Sequence, residues 1–209
     1  GLKPMVFEID LSQYRTRAKA VYDQYRAQYR RRFDWLPAKF FRKDLRDELI
    51  ADAQKVLTVL KQAAKWEPKR DAKLRELHRL LTEDHPTEKV LVFSQFADTV
   101  LYVAEQLQKM KVEALEAVTS WSDDPTALAR RFSPESNGGL QKGESALRIL
   151  IATDVLSEGQ NLQDAHLVVN FDLPWAIIRL IQRAGRVDRI GQKHDSIGVY
   201  SFVPAEGVE

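Results

Sequence analysis

The spacing of apolar and polar positions changes character near residue 70. From Ser12 onward, Tyr14, Ala18, Val21, Tyr22, Tyr25, Tyr29 and Phe33 recur at steps of three and four, as on one face of a helix. "DWLP" (34–37) breaks that pattern. Phe41, Leu45, Leu49, Val56, Leu57 and Leu60 then predict a second helix, ended at Pro68. Ahead of both, "VFEID" (6–10) alternates like a short strand. Beyond residue 70, compact apolar runs alternate with amphipathic stretches. Strands are predicted at 89–94 ("KVLVFS"), 112–120, 147–153 ("LRILIAT"), 166–171 ("HLVVNF") and 197–203. Helices are predicted at 71–81 ("DAKLRELHRLL"), 96–110, 124–132 and 174–184, with Asp124 as an N-cap, Pro125 at N1 and Pro174 opening the last. This alternation predicts an α/β domain with right-handed crossovers and a parallel sheet covered by helices on both faces. The expected division is a mainly helical lead-in or insertion at 1–69 and the α/β core at 70–209. The Gly- and Ser-rich stretch 133–145 is expected to be a mobile loop.

Composition narrows the picture little. The chain has 209 residues, 44% hydrophobic and 30% charged, within the ordinary range of a globular protein. A net charge of +2 argues for no particular partner. There is no cysteine, which excludes disulfides and thiolate metal sites and leads to the expectation of a cytoplasmic, reducing setting. The four histidines show no paired-ligand spacing, so no metal site is expected. No apolar run is long enough to suggest a membrane span. The start at Gly1 without methionine leads to the expectation of a piece of a longer protein. Residues 12–32 hold Arg15, Arg17, Lys19, Arg26, Arg30, Arg31 and Arg32 against the single acid Asp23. That face is either solvated or a stripe facing nucleic-acid phosphates.

In an open parallel sheet, ligands gather at the carboxyl ends of the strands. The polar letters there are Ser94-Gln95, Thr153-Asp154, and Asn170 with Asp172. Each alone reads equally as a helix cap. "SEGQNLQDA" (157–165), with Gly159, goes beyond a cap and suits close approach of backbone amides to a ligand. "QRAGRVDRIGQ" (182–192) places Arg183, Arg186 and Arg189 where a helix ends. These guanidiniums read either as cations at a helix C-terminus or as forks aimed at phosphate. Gly185 and Gly191 interrupt the helix, so the arginines are expected to project outward, with Arg186 and Arg189 exposed and unpaired.

Together these segments resemble the second RecA-like domain of superfamily 2 helicases and translocases. "KVLVFSQFADT" is similar to motif IV, "ILIATDVLSEGQNLQDA" to motif V and "QRAGRVDRIGQ" to motif VI. The "RIGQ" ending and "DAKLRELHRLL" before motif IV resemble the Swi/Snf-like branch, in its bacterial form. The resemblance implies a C-terminal lobe of an ATP-dependent double-stranded DNA translocase. ATP and Mg2+ would then be held mainly by an N-terminal RecA-like lobe of the same chain. Arg186 and Arg189 would be arginine fingers, with Gln182 ordering their site and Arg183 in structural ion pairs with Asp188 or another carboxylate. Asn161 and Gly159 would lie against the nucleotide, while Thr153, Ser94 and Gln95 would lie along the nucleic acid, joined by Arg26, Arg30 and Arg31 if the basic stripe faces it. "DLPWAI" (172–177) departs from a Trp-Asn-Pro pattern, and Trp175 is read as a core aromatic on its helix.

No Gly-x-x-x-x-Gly-Lys-Ser/Thr loop occurs, so the phosphate-cradling half of an ATPase is absent from these residues. The fragment is expected to be monomeric and inactive alone, and in its cell associated with the bacterial nucleoid. Rival readings are an RNA helicase or restriction-type motor lobe, and a non-catalytic scaffold of the same fold.

Overall fold

The computed structural model describes residues 11–28, 36–63, 67–157 and 160–203. The predicted strand at 6–10, and Tyr29, Arg30, Arg31, Phe33 and Gly159, lie outside the described residues. The chain divides into two compact units, Gly1–Glu67 and Pro68–Glu209.

In the first unit, α1 spans Leu11–Gln28 and α2 spans Leu45–Ala63. Asp47 and Glu48 in the first turn of α2 and Lys61 in its last complement the helix dipole. Phe41, expected to open α2, lies ahead of it and is exposed. On α1 both sides face solvent within this unit: Val21, Tyr22 and Tyr25 are exposed, and so are Arg15, Arg17, Lys19 and Arg26.

The second unit carries the α/β order that the apolar rhythm predicts. α3 (Ala72–Arg79) leads into β1 (Val90–Phe93), α4 (Ala97–Lys109), β2 (Leu115–Val118) and α5 (Pro125–Phe132). Then come β3 (Ile149–Ala152), β4 (Leu167–Asn170), α6 (Ile177–Ala184) and β5 (Gly198–Ser201). The five strands form one parallel sheet in the order β2-β3-β1-β4-β5. β1, β3 and β4 are buried along their whole length, which is why they read as continuous apolar runs.

Strand side chains alternate between faces, and the two cores follow that period. Val90, Val92, Ile149, Ile151, Leu167 and Val169 pack with α3 and α4 through Leu74, Leu77, Val100, Val103 and Leu107. Leu91, Phe93, Leu150, Ala152 and Val168 pack on the other side with Ala129, Phe132 and Val187. Each of these fully buried valine, leucine, isoleucine and phenylalanine side chains contributes about 1.5–3 kcal/mol relative to exposure. Asp71 caps α3 by accepting from the Leu74 amide at 3.0 Å, and Asp124 caps α5 by accepting from the Ala127 amide at 2.8 Å with Pro125 at N1. Gly198 lets β5 approach β4, since a Cβ there would stand 2.6 Å from Leu167 Cδ2.

Three local expectations are corrected. α6 opens at Ile177 with Ala176 as its N-cap residue, after Asp172 and Leu173 have bonded to Gln95 beyond β1. Trp175 is therefore off the helix and fully exposed rather than a core aromatic. Segment 133–145 is not a free loop. The amides of Glu135 and Ser136 donate to Asp164 at 2.7 and 3.0 Å, Asn137 Nδ2 donates to the carbonyls of Ser133 and Asn161 at 2.7 Å, and Arg130 pairs with Glu144 at 2.5 Å. Its polar residues satisfy one another and the neighbouring backbone, which composition alone does not show.

Candidate functional site at the carboxyl edge of the sheet

Parallel strands bring the segments after β1, β3 and β4 to one edge, and there the polar letters meet. Asp172, two residues beyond β4, accepts from Ser94 Oγ at 2.5 Å and from the Gln95 amide at 3.0 and 3.1 Å. Ser94 Oγ in turn accepts from the Phe96 amide at 3.2 Å, and Gln95 Nε2 donates to the Leu173 carbonyl at 3.3 Å. Ser94 is thus buried and engaged with Asp172. It shapes the turn that presents Gln95, which is half-buried. Thr153 directly follows β3, also half-buried, its amide bonded to the Val118 carbonyl at 3.0 Å.

Arg183 organises the other half of this edge. It is the one residue of α6 that is buried, at 2% exposure. Its Nε and Nη2 donate to the two oxygens of Asp154 at 2.8 and 3.2 Å, a bidentate fork. Nη1 donates to Asn170 Oδ1 at 3.1 Å and to the Asp172 carbonyl at 3.2 Å, and the guanidinium stands 5.3 Å from the Phe93 ring centroid. Asp154, rather than Asp188, is therefore the main partner of Arg183; Asp188 is exposed. Asp154 also takes Arg179 at 3.5 Å. One guanidinium joins the ends of β1, β3 and β4 to the last turn of α6. Because that contact is polar, the apolar side of α6 faces out, with Ile177, Ile178 and Ile181 all more than half exposed.

The chain leaves α6 through Gly185 in a further helical-type turn, with Val187 fully buried and the Asp188 amide bonded to the Ala184 carbonyl at 3.0 Å. Gly191, at φ +99°, allows the next turn, a conformation that favours glycine. Burial of Val187 lays the segment against motif V, so the arginines differ from the expected exposed and unpaired state. Arg189 is half-buried, and its Nη1 donates to Asn161 Oδ1 at 3.1 Å and to the Gln160 carbonyl at 3.3 Å. Arg186 is half-buried and has interactions within the chain. Asn161 reaches from Arg189 to the Ser136 carbonyl at 3.4 Å.

A pocket of about 220 Å³ opens here, lined by Phe93, Asp154, Arg179, Gln182, Arg183 and Arg186. Its guanidinium and amide donors suit an anionic ligand such as a polyphosphate. Among the described residues no group of three His, Asp or Glu side chains is placed to hold a metal ion. The structure brings Gln182 and Arg186 to this pocket and Thr153 and Gln95 to the strand ends, while Arg189 and Asn161 pair with each other beside Ser136 and Asn137. Arg26 is exposed in the other unit, and Arg30, Arg31 and Gly159 lie outside the described residues. Asp172, one of the polar residues after the strands but assigned no role from sequence, is the organising group here; its one signal is its place just after an apolar run.

Fold and edge together define a RecA-like lobe with a phosphate-suited arginine segment. The helicase conserved C-terminal domain model matches residues 72–191, and the chain belongs to that family. The chain is 30% identical over 122 residues to the uncharacterized ATP-dependent helicase YqhH of Bacillus subtilis (strain 168), covering 58% of this chain and 20% of that protein. It is 36% identical over 115 residues to the RNA polymerase-associated protein RapA of Vibrio cholerae serotype O1 (strain M66-2), covering 54% of this chain and 11% of that protein. The chain thus spans a fifth or less of these relatives. Among solved structures, the C-terminal part of the Fun30 ATPase domain matches in fold, with a TM-score of 0.51 at 22% identity, over 74% of this chain and 48% of that one. No described helix is long and apolar enough to cross a membrane.

Proposed function

We propose that this chain is the C-terminal lobe of an ATP-dependent double-stranded DNA translocase, working with an N-terminal RecA-like lobe that holds ATP and Mg2+. Residues 1–69 form its helical lead-in and 70–209 its motor lobe. The observation that carries this reading is the Arg183 brace, which sets Gln182 and Arg186 beside Phe93 at the end of β1 and Asp154 after β3, with Arg189 three residues on, against motif V. In that arrangement Arg186 and Arg189 stabilise charge developing on transferred phosphoryl oxygens, and Gln182 orders the pocket. For Arg189 this means exchanging Asn161 and the Gln160 carbonyl for phosphate. Gln95 and Thr153 line the nucleic acid, with Ser94 and Asp172 holding Gln95 in place. The ATP-dependent helicase name of the Bacillus relative supports the assignment of ATP use.

Two outcomes follow for the chain alone. It hydrolyses no ATP in a steady-state phosphate-release assay, because it carries no phosphate-cradling loop; multiple turnover by the purified chain contradicts the half-site reading. It binds duplex DNA weakly, in the ~10⁻⁴–10⁻⁶ M range, with little sequence preference and a steep salt dependence. If α1 faces DNA, reversing Arg26, Arg30 and Arg31 to Glu makes the slope of log affinity against log salt shallower by roughly 0.9 for each lost phosphate contact. An unchanged slope returns that helix to a solvated face.

A further inference from the structure

The carboxyl edge continues past the site just described, across the ends of β4 and β5. Phe171 and Phe202 are the first residues beyond those strands, pinned by their amides to the carbonyls of Phe93 at 2.8 Å and Asn170 at 3.0 Å. Their rings meet edge to face at 5.4 Å. Over this pair stands Lys73, its Nζ 4.4 Å from the Phe171 centroid and 5.6 Å from that of Phe202.

The surroundings of Lys73 are those of a cation held in readiness. It occupies the first turn of α3, where the helix dipole disfavours positive charge. Packing against the rings desolvates the ammonium and lowers its pKa, while Asp172 and Asp71 oppose that shift. Both carboxylates are engaged elsewhere. Asp71 accepts from the Leu74 amide at 3.0 Å and from Tyr102 Oη at 3.2 Å, and Asp172 accepts from Ser94 and Gln95. Among the described residues, Lys73 makes no ion pair or hydrogen bond. Ring faces attract an ammonium without accepting its N–H groups in the way an oxygen does, so its three donors remain for an anionic acceptor.

We infer that Lys73 binds a nucleic-acid backbone phosphate, extending the Gln95–Thr153 edge over the ends of β4 and β5. This rests on the reading of that edge as facing nucleic acid.

The test titrates the 209-residue chain with a short duplex DNA, by fluorescence anisotropy, across a salt series. Lys73→Met keeps the side-chain stem over the rings and removes the charge; Lys73→Arg keeps both. The expected result is a slope of log affinity against log salt shallower by about 0.9 for Lys73→Met, the loss of one phosphate contact, and an unchanged slope for Lys73→Arg. Lys73→Gln, equally uncharged, repeats the measurement if the Met variant melts early. A Lys73→Met slope equal to wild type overturns the assignment. If Thr153→Ala weakens binding in that case, the edge reading survives and Lys73 alone falls. Absence of salt-dependent binding by the wild-type chain defeats both.

Discussion

Arg183→Ala is expected to destabilise the second unit by about 3–5 kcal/mol, the usual effect of removing one partner from a buried ion pair. Three groups lose a donor, the Asp172 carbonyl among them. Asn170 is fully buried and loses the donor on its Oδ1, while Asp154 loses its fork and keeps only the longer contact to Arg179. Because Asp154 is about one-third exposed, the lower end of the range applies. At roughly 2–4 °C per kcal/mol for a unit of this size, Tm falls by about 6–12 °C. Arg183→Lys recovers little, since an ammonium cannot address Asp154, Asn170 and the Asp172 carbonyl from one planar group. A double-mutant cycle checks the cause: Asp154→Ala adds much less to Arg183→Ala than it costs alone. A melt of Arg183→Ala within 2 °C of wild type, or strict additivity in the cycle, means that α6 is held by something else.

What the sequence made legible, and what it did not, divides along a physical line. β1, β3 and β4 are buried on both faces, so their residues had to be apolar, and the strands could be located within a few residues. Asp124 and Pro125 marked the start of α5 because capping is a local transaction between neighbours. α6 misled because periodicity reveals an apolar face but not what that face touches. Its buried contact is a guanidinium, and the isoleucines that look like core are outside. Trp175 was misplaced for the same reason. In the candidate site, residue types and spacing located Thr153, Gln95 and the arginine segment, but pairing across the sheet edge is set by tertiary approach. Hence Ser94 turned out to be buried on Asp172, and Arg189 bonded to Asn161 instead of standing free. Polar segment 133–145 read as loose because its main anchor, Asp164, lies about thirty residues away.

The larger effect is expected at Arg186 and Arg189, in the two-lobe protein. An arginine finger contributes about 10³–10⁵ in kcat, or roughly 4–7 kcal/mol of transition-state stabilisation. A solvated surface arginine contributes about 0.5 kcal/mol or less to stability and nothing specific to turnover. Arg189 also holds Asn161 and the Gln160 carbonyl, so Arg189→Ala carries an added loss of about 1–3 kcal/mol in stability from that broken contact. Arg183→Ala serves as the contrast, lowering Tm strongly and turnover through stability. The decisive measurement is duplex-DNA-stimulated ATP hydrolysis by the two-lobe protein carrying Arg186→Ala or Arg189→Ala, each assayed well below its own melting temperature. Loss of kcat by about 10³-fold or more in a folded protein is the result expected of finger residues. Hydrolysis within about threefold of wild type for both variants, a barrier change under ~1 kcal/mol, contradicts the proposed role of this lobe.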